Sequence, residues 1–483
     1  MNWRDQTILD ELTLLIIFAA VVAVTLFAVG HALLNKRDPR SALVWVSICL
    51  TIPLFGPLFY WLLGINRIRR RALKWHRNSS RPGVIGTDTA VPAGAELPFA
   101  YCNELENLEK LGNRVVRNPT RCGNRLVPLV NGEAAYPAML EAIQRASRTI
   151  HLCSYIFDGD GVGARFVEAL AAAARRGVHV RIIVDAMGER YSQLPVRKAL
   201  AGSAVDIRLY LPLHKGPFIN LRNHRKLLVV DGAIGFTGGM NIRNNHCLEM
   251  TPPGEATADL HFLVEGPVVH DLQRTFLEDW HFVSGELIDQ PSCFPALVSV
   301  GEACIRAIAD GPDREFRKLE WIVMGALATA RRNVMIMTPY FTPDRPMLTA
   351  LVTAALRGVE VTLILPAHNN LPFVAWASRA SYWELIKNGI KIFEQPDPFA
   401  HTKLMVVDDI WSLIGSANHD TRSFRLNFEL NLSVFDRDFA KRIVDHCQAA
   451  LANSKETSLQ EMDGRPLPVK LRDAAARLFT PYL

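Results

Sequence analysis

The chain has 483 residues, 49% hydrophobic and 21% charged, and its glycine and proline contents are too low for a disordered protein. Length alone allows roughly two to four domains with sizeable cores. The net charge of +6 suits an anionic membrane surface or a phosphate-bearing substrate but does not by itself identify a function. The eight cysteines form no CxxC pair, which argues against a zinc site or a dense disulfide scaffold and predicts small buried side chains in a reducing compartment.

Two segments near the N-terminus, residues 12–34 and 41–65, contain no Asp, Glu, Lys or Arg. A bilayer core requires roughly 20 apolar helical residues, so each segment is long enough to cross it. We therefore predict two N-terminal transmembrane helices in a membrane anchor at residues 1–75. Pro53, Gly56 and Pro57 predict a kink in the second segment, which leaves a re-entrant path open as well as a full crossing.

A basic run follows the second hydrophobic segment, and by the positive-inside rule it predicts that the remaining chain lies in the cytoplasm. The loop between the two segments is also basic and favours the opposite orientation. Residues 78–98 are rich in Ser, Gly, Pro and Thr, so we predict a juxtamembrane linker at residues 76–112. The basic run consists of Arg67, Arg69, Arg70, Arg71, Lys74, Arg77 and Arg81.

The rest of the chain repeats one pattern of elements. In the first unit, the strand-like RTIHLCSYIF precedes an alanine-rich helix that stops at Gly177 and a second strand-like segment, HVRIIVDA. In the second unit, RNVMIMTPYF, a helix that stops at Gly358 and EVTLILPA follow in the same order. This alternation predicts an α/β fold of two repeated α-β-α domains, at residues 113–295 and 296–483, with largely parallel sheets covered by helices.

Each unit then carries the same polar motif around a short apolar strand. HRKLLVVDG begins at His224 and HTKLMVVDD begins at His401, and a G-[GS]-x-N element follows both at the same distance. A single H-x-K-x4-D match is a weak signal, whereas two at matching positions of a repeat indicate a duplicated functional domain. The residues concerned are His224, Lys226, Asp231, Gly239 and Asn241 in the first unit, and His401, Lys403, Asp408, Ser416 and Asn418 in the second.

The motif residues suit the chemistry of a phosphodiester. Alternate side chains of a strand share a face, so the His and Lys of each motif point the same way. If the two units pack about a pseudo-twofold axis, two imidazoles and two ammonium groups meet in one pocket. One histidine can then attack phosphorus while the other protonates the leaving alkoxide. No acidic cluster suited to Mg²⁺ lies beside the motifs, so we expect no metal and no cofactor.

Other polar residues support this pocket. Lysine ammonium groups and the side chains of Asn241, Asn418 and Ser416 can bind phosphate oxygens. Each histidine needs its tautomer fixed, and the best candidates are the carboxylates of Asp259 and Glu429, which lie on strand-like segments after the motifs. Surface solvation or a salt bridge is the alternative role for these two acids. Asp231 and Asp408 are motif members at the far end of their strands, where we expect them to brace the motif.

At these residues the chain resembles the phospholipase D superfamily, whose H-x-K-x4-D signature occurs twice per bilobal enzyme. The resemblance covers residues 113–483. The membrane-anchored start, RRGVHVRIIVDAMG, TPYFTPD and the ending LFTPYL look specifically like bacterial cardiolipin synthases. That family joins two phosphatidylglycerol molecules through a phosphatidyl-histidine intermediate and releases glycerol.

The resemblance implies a multi-pass protein of the bacterial inner membrane with phospholipid substrates. It also implies that His224 and His401 act as nucleophile and general acid/base, with His224 as the nucleophile. Phosphate binding falls to the motif lysines and asparagines, and histidine orientation to Asp259 and Glu429. Gly239, where many relatives have Ser, departs from the pattern.

Several alternatives remain open from the residues alone. A phospholipase D that uses water as acceptor requires the same motifs, as does a transferase with phosphatidylethanolamine as donor or another alcohol as acceptor. A nuclease of the same superfamily would not need two membrane segments, so we expect no nucleic-acid partner. A non-catalytic membrane scaffold would tolerate loss of either motif, yet both are intact. The oligomeric state cannot be assigned.

Overall fold

The computed structural model describes residues 3–36, 39–64, 99–212, 221–312 and 315–480. The chain divides into two compact units, Met1–Lys74 and Trp75–Leu483. The predicted basic run at 67–81 and most of the predicted linker lie outside the described residues.

The N-terminal compact unit, Met1–Lys74, is a set of helices rich in exposed apolar side chains. Helix α1 spans Trp3–Asn35, α2 spans Pro39–Thr51 and α3 spans Phe55–Phe59, with a π-helical turn at Tyr60–Gly64. Among the described residues, one stretch, Glu11–Asn35 of α1, is long and apolar enough to cross a membrane.

The second predicted transmembrane segment does not form one long helix. Helix α2 has 13 residues, which at 1.5 Å per residue gives roughly 20 Å, short of a bilayer core. It ends at Thr51 because Pro53, two residues later, has no backbone N–H to donate to a continuous helix. The carbonyl of Pro53 instead accepts a hydrogen bond from Thr25 Oγ1 at 3.0 Å. The prediction of two full-length helices is therefore not confirmed.

The larger compact unit, Trp75–Leu483, holds both repeats. Its described part begins with helix α4, Phe99–Val115, and continues with the elements of the first repeat. These are β1 Arg121–Val130, α5 Asn131–Arg145, β2 Thr149–Ser154, α6 Val162–Arg175, β3 His179–Asp185, α7 Val196–Ala199, β4 Asp206–Tyr210, β5 Arg222–Asn223, β6 Leu227–Val230, β7 Ile234–Gly238, β8 Thr257–Ala258, β9 Leu260–Glu265 and α8 Val269–Ser284.

The second repeat follows with a similar succession, two additional short elements within it and a C-terminal extension. Its elements are β10 Ala303–Asp310, α9 Lys318–Thr329, β11 Asn333–Met337, β12 Phe341–Thr342, α10 Arg345–Leu356, β13 Glu360–Pro366, α11 Pro372–Lys387, β14 Lys391–Gln395, β15 Phe399–Ala400, β16 Leu404–Val407, β17 Trp411–Gly415, β18 His419–Asp420, α12 Thr421–Arg425, β19 Asn427–Phe435, α13 Arg437–Ala452, β20 Lys455–Glu456, α14 Leu459–Asp463 and α15 Leu467–Arg477.

Local sequence explains where these helices start and stop. The side chain of Asp344 accepts the backbone N–H of Met347 at the start of α10. Gly177 and Gly358 follow α6 and α10 with φ of +90° and +89°, a conformation that glycine adopts without steric cost. Both glycines thus lie at the helix ends predicted from the sequence.

One sheet runs through both repeats in the order β20-β14-β13-β11-β16-β17-β19-β10-β1-β9-β7-β6-β2-β3-β4. Strands β2, β3 and β4 are parallel, as are β11, β13 and β14. The remaining neighbours along this path pair antiparallel. Among them, each motif strand returns through a short turn to the next strand. The sheet is therefore mixed, and the prediction of a largely parallel one is wrong.

Each repeat has its own apolar core behind the sheet. The first gathers Phe166, Leu170 and Ile182, and the second gathers Leu351, Leu363 and Trp411. Helix α4 adds Leu105 and Leu108 to the second core, where they pack with α9. Residues 99–112 of the predicted linker consequently belong to the folded unit, because the apolar face of α4 is covered by the second repeat.

The cysteines depart from the prediction at one pair. Cys122 on β1 and Cys304 on β10 form a disulfide, because antiparallel pairing of these strands brings their side chains together. Five others, Cys49, Cys153, Cys247, Cys293 and Cys447, are buried and free as predicted.

Candidate active site

The two motifs meet because each repeat adds a short strand to the other. Strand β5, directly before His224, pairs parallel with β19 of the second repeat. Strand β15, directly before His401, pairs parallel with β8 of the first repeat. The His224 N–H donates to Phe428 O at 2.9 Å, and the His401 N–H donates to Ala258 O at 2.8 Å. Backbone hydrogen bonds thus hold both histidines against the opposite repeat.

Each imidazole contacts a carboxylate from the opposite repeat. His224 Nδ1 lies 3.1 Å from Glu429 Oε1, and His401 Nδ1 lies 2.7 Å from Asp259 Oδ2. Both carboxylates are fully buried, whereas the histidine side chains keep 14% and 12% of their surface exposed. The sequence prediction named these two acids, and the structure adds that the pairs are crossed. With Nδ1 engaged, Nε2 of each ring is the atom left for chemistry.

The two lysines lie beside the histidines. Lys226 Nζ donates to His224 O at 2.6 Å and lies 5.6 Å from the centre of the Tyr155 ring. Lys403 Nζ donates to His401 O and lies 2.9 Å from His401 Nδ1. Burial lowers the pKa of Lys226 to about 7 and the pKa of Lys403 to about 8. Two ammonium groups that are partly stripped of water are ready to bind an anion.

The charges of the site follow from burial and from these contacts. Burial lowers the pKa of His224, and burial together with Lys403 lowers the pKa of His401 well below its ordinary value. Burial alone would raise the pKa of Glu429, but the charge and hydrogen bond of His224 hold it at about 2. Burial raises the pKa of Asp259. The Glu429 pair therefore keeps the firmer negative charge.

Asn241 and Asn418 occupy matching positions after strands β7 and β17. Asn241 Oδ1 accepts the backbone N–H of Ile156 at 3.1 Å, which leaves its amide hydrogens free of that contact. Asn418 is also buried, and its Oδ1 accepts no hydrogen bond within the described part of the chain. Both amides have the donors that non-bridging phosphate oxygens accept.

Residues that the motif analysis did not identify hold these asparagines. The Asn241 N–H donates to His246 Nε2 at 3.4 Å, and the Asn418 N–H donates to Ser423 Oγ at 3.1 Å. Burial lowers the pKa of His246 to about 3, so its ring stays neutral and can accept. His246 and Ser423 each follow their asparagine by five residues. The equal spacing is present in the sequence, but it is hard to notice because one residue is a histidine and the other a serine.

Ser416 does not belong with the phosphate-binding residues. It is fully buried, its hydroxyl donates to Glu429 Oε2 at 2.5 Å, and it accepts the Leu430 N–H at 3.0 Å. With these bonds made, the hydroxyl braces the carboxylate instead of facing the pocket. Gly239 matches it in the first repeat, where a Cβ would lie 2.4 Å from Asp259 Oδ1. In the first repeat, Asp259 therefore occupies the volume that corresponds to the Ser416 side chain in the second repeat.

Asp231 and Asp408 lie away from the site despite their place in the motif. Asp231 accepts the backbone N–H groups of Ser147, Arg148 and Thr149 at 2.7–2.9 Å. Asp408 accepts those of residues 331–333 at 2.7–3.0 Å. Four strand residues separate each aspartate from its lysine, and the offset of five positions is a distance of roughly 16 Å. Both aspartates anchor the start of a neighbouring strand, so the structure does not support a catalytic position for either.

Two tyrosines complete the walls of the site. The Tyr155 ring packs edge-on against His224 at 5.4 Å, and the Tyr340 ring packs edge-on against His401 at 6.3 Å between centres. Across the described residues, no cluster of three His, Cys, Asp or Glu side chains could hold a metal ion. The chemistry that these side chains can supply is nucleophilic attack, proton transfer and anion binding.

Paired H-x-K motifs on matching strands, with a crossed carboxylate behind each imidazole, define a protein of the phospholipase D class. Residues 139–280 and 323–451 match the family model described as cardiolipin synthase, PLD-like domain, and residues 14–64 match a phospholipase D-nuclease N-terminal model. The chain belongs to the cardiolipin synthase family.

Named relatives are similar in sequence to this chain over nearly its whole length. The chain is 32% identical to a cardiolipin synthase of Geobacillus thermodenitrificans, covering 97% of this chain and 94% of the relative. It is 30% identical to the major cardiolipin synthase ClsA of Bacillus subtilis, covering 93% and 95%. A crystal structure of phosphatidylserine synthase from Haemophilus influenzae shares the fold at 13% identity, with a TM-score of 0.58 over 78% of this chain and all of that one.

Proposed function

We propose that this chain is a membrane-bound phosphatidyltransferase that makes cardiolipin from two phosphatidylglycerol molecules and releases glycerol. The observation that carries the proposal is the pair of crossed contacts, His224 with Glu429 and His401 with Asp259. These contacts place two imidazoles, each with its lysine, in one polar site. The relatives of the chain are named cardiolipin synthases.

The proposed reaction has two displacements at phosphorus. Nε2 of one histidine attacks the phosphorus of the first phosphatidylglycerol, a P–N bond forms, and the bond to the glycerol oxygen breaks. The second histidine protonates that oxygen as glycerol leaves. It then takes the proton of a hydroxyl on the second phosphatidylglycerol, whose oxygen attacks phosphorus and breaks the P–N bond. Lys226, Lys403, Asn241 and Asn418 bind the oxygens on which charge grows.

Family resemblance assigns the nucleophile to His224. A specific observation favours the reverse order: burial lowers the pKa of both histidines, but Glu429 opposes that shift at His224, while Lys403 adds to it at His401. An imidazolium is what the leaving glycerol requires. Quenching in mildly alkaline detergent during turnover of labelled phosphatidylglycerol, followed by peptide mapping at the same pH, identifies the histidine that carries the phosphatidyl group. Label on His224 supports the first assignment and label on His401 the second.

The activity is tested with purified full-length protein, labelled phosphatidylglycerol in mixed micelles and a chelator. Cardiolipin and glycerol in equal amounts are expected. Phosphatidic acid as sole product identifies a hydrolase, and a product formed only with phosphatidylethanolamine or another alcohol added identifies a different donor or acceptor. His224→Ala and His401→Ala are each expected to lose activity, and more than a tenth of wild-type turnover in either contradicts the two-histidine scheme.

The finer architecture is part of the same proposal. We assign residues 113–295 and 296–483 to two phospholipase D-like domains related by a pseudo-twofold axis. Support comes from the identical strand order on either side of the β1–β10 junction. Residues 1–75 would anchor the chain in the bacterial inner membrane through both hydrophobic segments, with residues 76–98 as linker and the site in the cytoplasm. Protease accessibility of residue 483 in inverted and right-side-out vesicles tests that orientation.

A further inference from the structure

Helix α15 has an apolar stripe that faces away from the protein. Leu467, Leu471 and Leu478 are 67%, 60% and 78% exposed. Their spacing of four and seven residues places them within about 40° of one another around a helix. The opposite side of α15 buries Asp473 and Ala476 against the domain. We call Leu467, Leu471 and Leu478 the leucine stripe; it is the side of a well-packed helix that the fold leaves uncovered.

Basic side chains border the leucine stripe on both sides. At 100° per residue, Arg472 lies on one flank and Lys470 and Arg477 on the other. Between Arg465 and Thr480 the sequence has four basic residues and one acidic residue. The Arg472 guanidinium lies 4.5 Å from the centre of the Trp376 ring on α11 and is ion-paired with Asp473 at 2.8 Å, so Lys470 and Arg477 supply the net positive charge of the border. Long cationic side chains beside an exposed apolar stripe are typical of a helix that lies in a membrane interface.

A chain of contacts links this surface to the active-site histidine His401. Phe479, after α15, packs against Phe373 at 5.5 Å between ring centres, and both are exposed. Just before α11, Asn370 Oδ1 accepts the hydroxyl of Tyr340, whose ring lies against His401. Only a few residues therefore separate exposed apolar side chains from a histidine that the proposed function places at phosphorus.

The first repeat shows a corresponding feature in the loop after β3. Tyr191 and Leu194 are exposed by 60% and 39%. The Tyr191 ring lies 6.4 Å from the Tyr155 ring, which packs against His224. Both repeats thus expose apolar side chains after the matching strand and near a catalytic-site histidine: Tyr191 and Leu194 in the loop after β3, and Leu371 in the loop after β13.

We propose that the leucine stripe and these two loops form a docking surface that inserts shallowly into an anionic bilayer. A bilayer is the occupant that the observations favour. The basic border complements anionic headgroups. The chain also has a helix long enough to span a membrane, so a bilayer is present at high local concentration. Docking keeps the acyl chains of a lipid substrate in the membrane while its headgroup enters the site; this consequence rests on the proposed function.

Depth-dependent quenching tests the docking directly. Full-length protein carrying Leu471→Cys is labelled with an environment-sensitive dye and reconstituted in phosphatidylglycerol/phosphatidylethanolamine vesicles. Leu356→Cys, 71% exposed at the end of α10, is the matched control, and dye-treated wild type gives the background. Lipids brominated on the acyl chains are expected to quench the dye at 471 and not at 356. The proposal is overturned if aqueous iodide quenches the dye at 471. It is also overturned if neither quencher reaches the dye, because that result indicates burial against a second copy of the protein.

A kinetic test separates docking from catalysis. The triple variant Leu467→Glu, Leu471→Glu and Leu478→Glu changes only exposed positions, and Leu356→Glu is its control. Turnover of long-chain phosphatidylglycerol in vesicles is expected to fall about tenfold, since three apolar side chains no longer leave water. Turnover of monomeric short-chain phosphatidylglycerol is expected to stay within about twofold of wild type. Equal activity on vesicles refutes the docking surface, whereas inactivity of wild type on both substrates refutes the proposed function.

Discussion

The crossed contact between His224 and Glu429 makes a sharp prediction for the variant Glu429→Gln. The glutamate carboxylate contacts His224 Nδ1 and accepts hydrogen bonds from Ser416 Oγ and Asn427 Nδ2. Glutamine keeps the shape and an acceptor oxygen but removes the charge. The Ser416 hydroxyl can rotate to accept from the new amide, so we expect the fold to survive.

The size of the effect follows from the lost charge. A hydrogen bond to an ionised group contributes roughly 1.5–3 kcal/mol, about one more than a neutral bond in the same place. Full burial of Glu429 puts this contact at the upper end, because no solvent screens it. If the charge is needed when His224 develops positive charge in the transition state, kcat falls by roughly 5- to 13-fold, the equivalent of the charge's share of the bond.

The assay compares kcat on phosphatidylglycerol in mixed micelles with the thermal unfolding midpoint of the same preparations. Glu456→Gln on β20, exposed and far along the chain from the site residues, is the control and is expected to match wild type. A kcat for Glu429→Gln within about threefold of wild type, with the variant folded, refutes the reasoning that the second repeat supplies the charge behind His224.

Three further predictions follow from individual contacts. The value of kcat/KM is expected to fall as the pH rises through about 7 to 8, because Lys226 and Lys403 of the free enzyme lose their protons there; a value that still rises at pH 9 contradicts the depressed lysine pKa values. Gly239→Ala is expected to lower kcat by displacing Asp259, whereas Gly254→Ala, with nothing within 4 Å of the added Cβ, is silent; equal kcat values refute the crowding. Asp231→Asn is expected to lower the free energy of unfolding by roughly 1–3 kcal/mol with little change in kcat, since its partners are backbone N–H groups; a large kcat loss in a stable variant returns Asp231 to the active site.

Much of the fold could be predicted because the sequence repeats itself. Helix stops at Gly177 and Gly358, the buried motif strands and the duplicated α/β pattern all depend on local periodicity and turn chemistry, which a sequence displays directly. The direction of the strands around the motif could not be predicted from the strand-helix-strand pattern. A short connection between two strands favours antiparallel pairing, and that pattern contains no information about it. The second hydrophobic segment illustrates the same limit: composition predicted its length, while Pro53 decided where its helix ends.

The site was predictable in its members and not in its pairing. His224, His401, Asp259 and Glu429 could be named from spacing, yet nothing local states that each acid serves the histidine of the other repeat. Ser416 was misassigned because a hydroxyl near a phosphate site and a hydroxyl behind a carboxylate look identical in sequence. The difference lies in burial and in the partner it meets, here Glu429.

The central claim is that both repeats build one active site per chain. Rapid quenching of the full-length protein with labelled phosphatidylglycerol in mildly alkaline detergent, which preserves the P–N bond, followed by counting of phosphatidyl groups per polypeptide, tests it most directly. One phosphatidyl group per chain, on a single histidine, is the predicted result. Two groups per chain, one on each motif histidine, would mean two independent sites and would contradict the account.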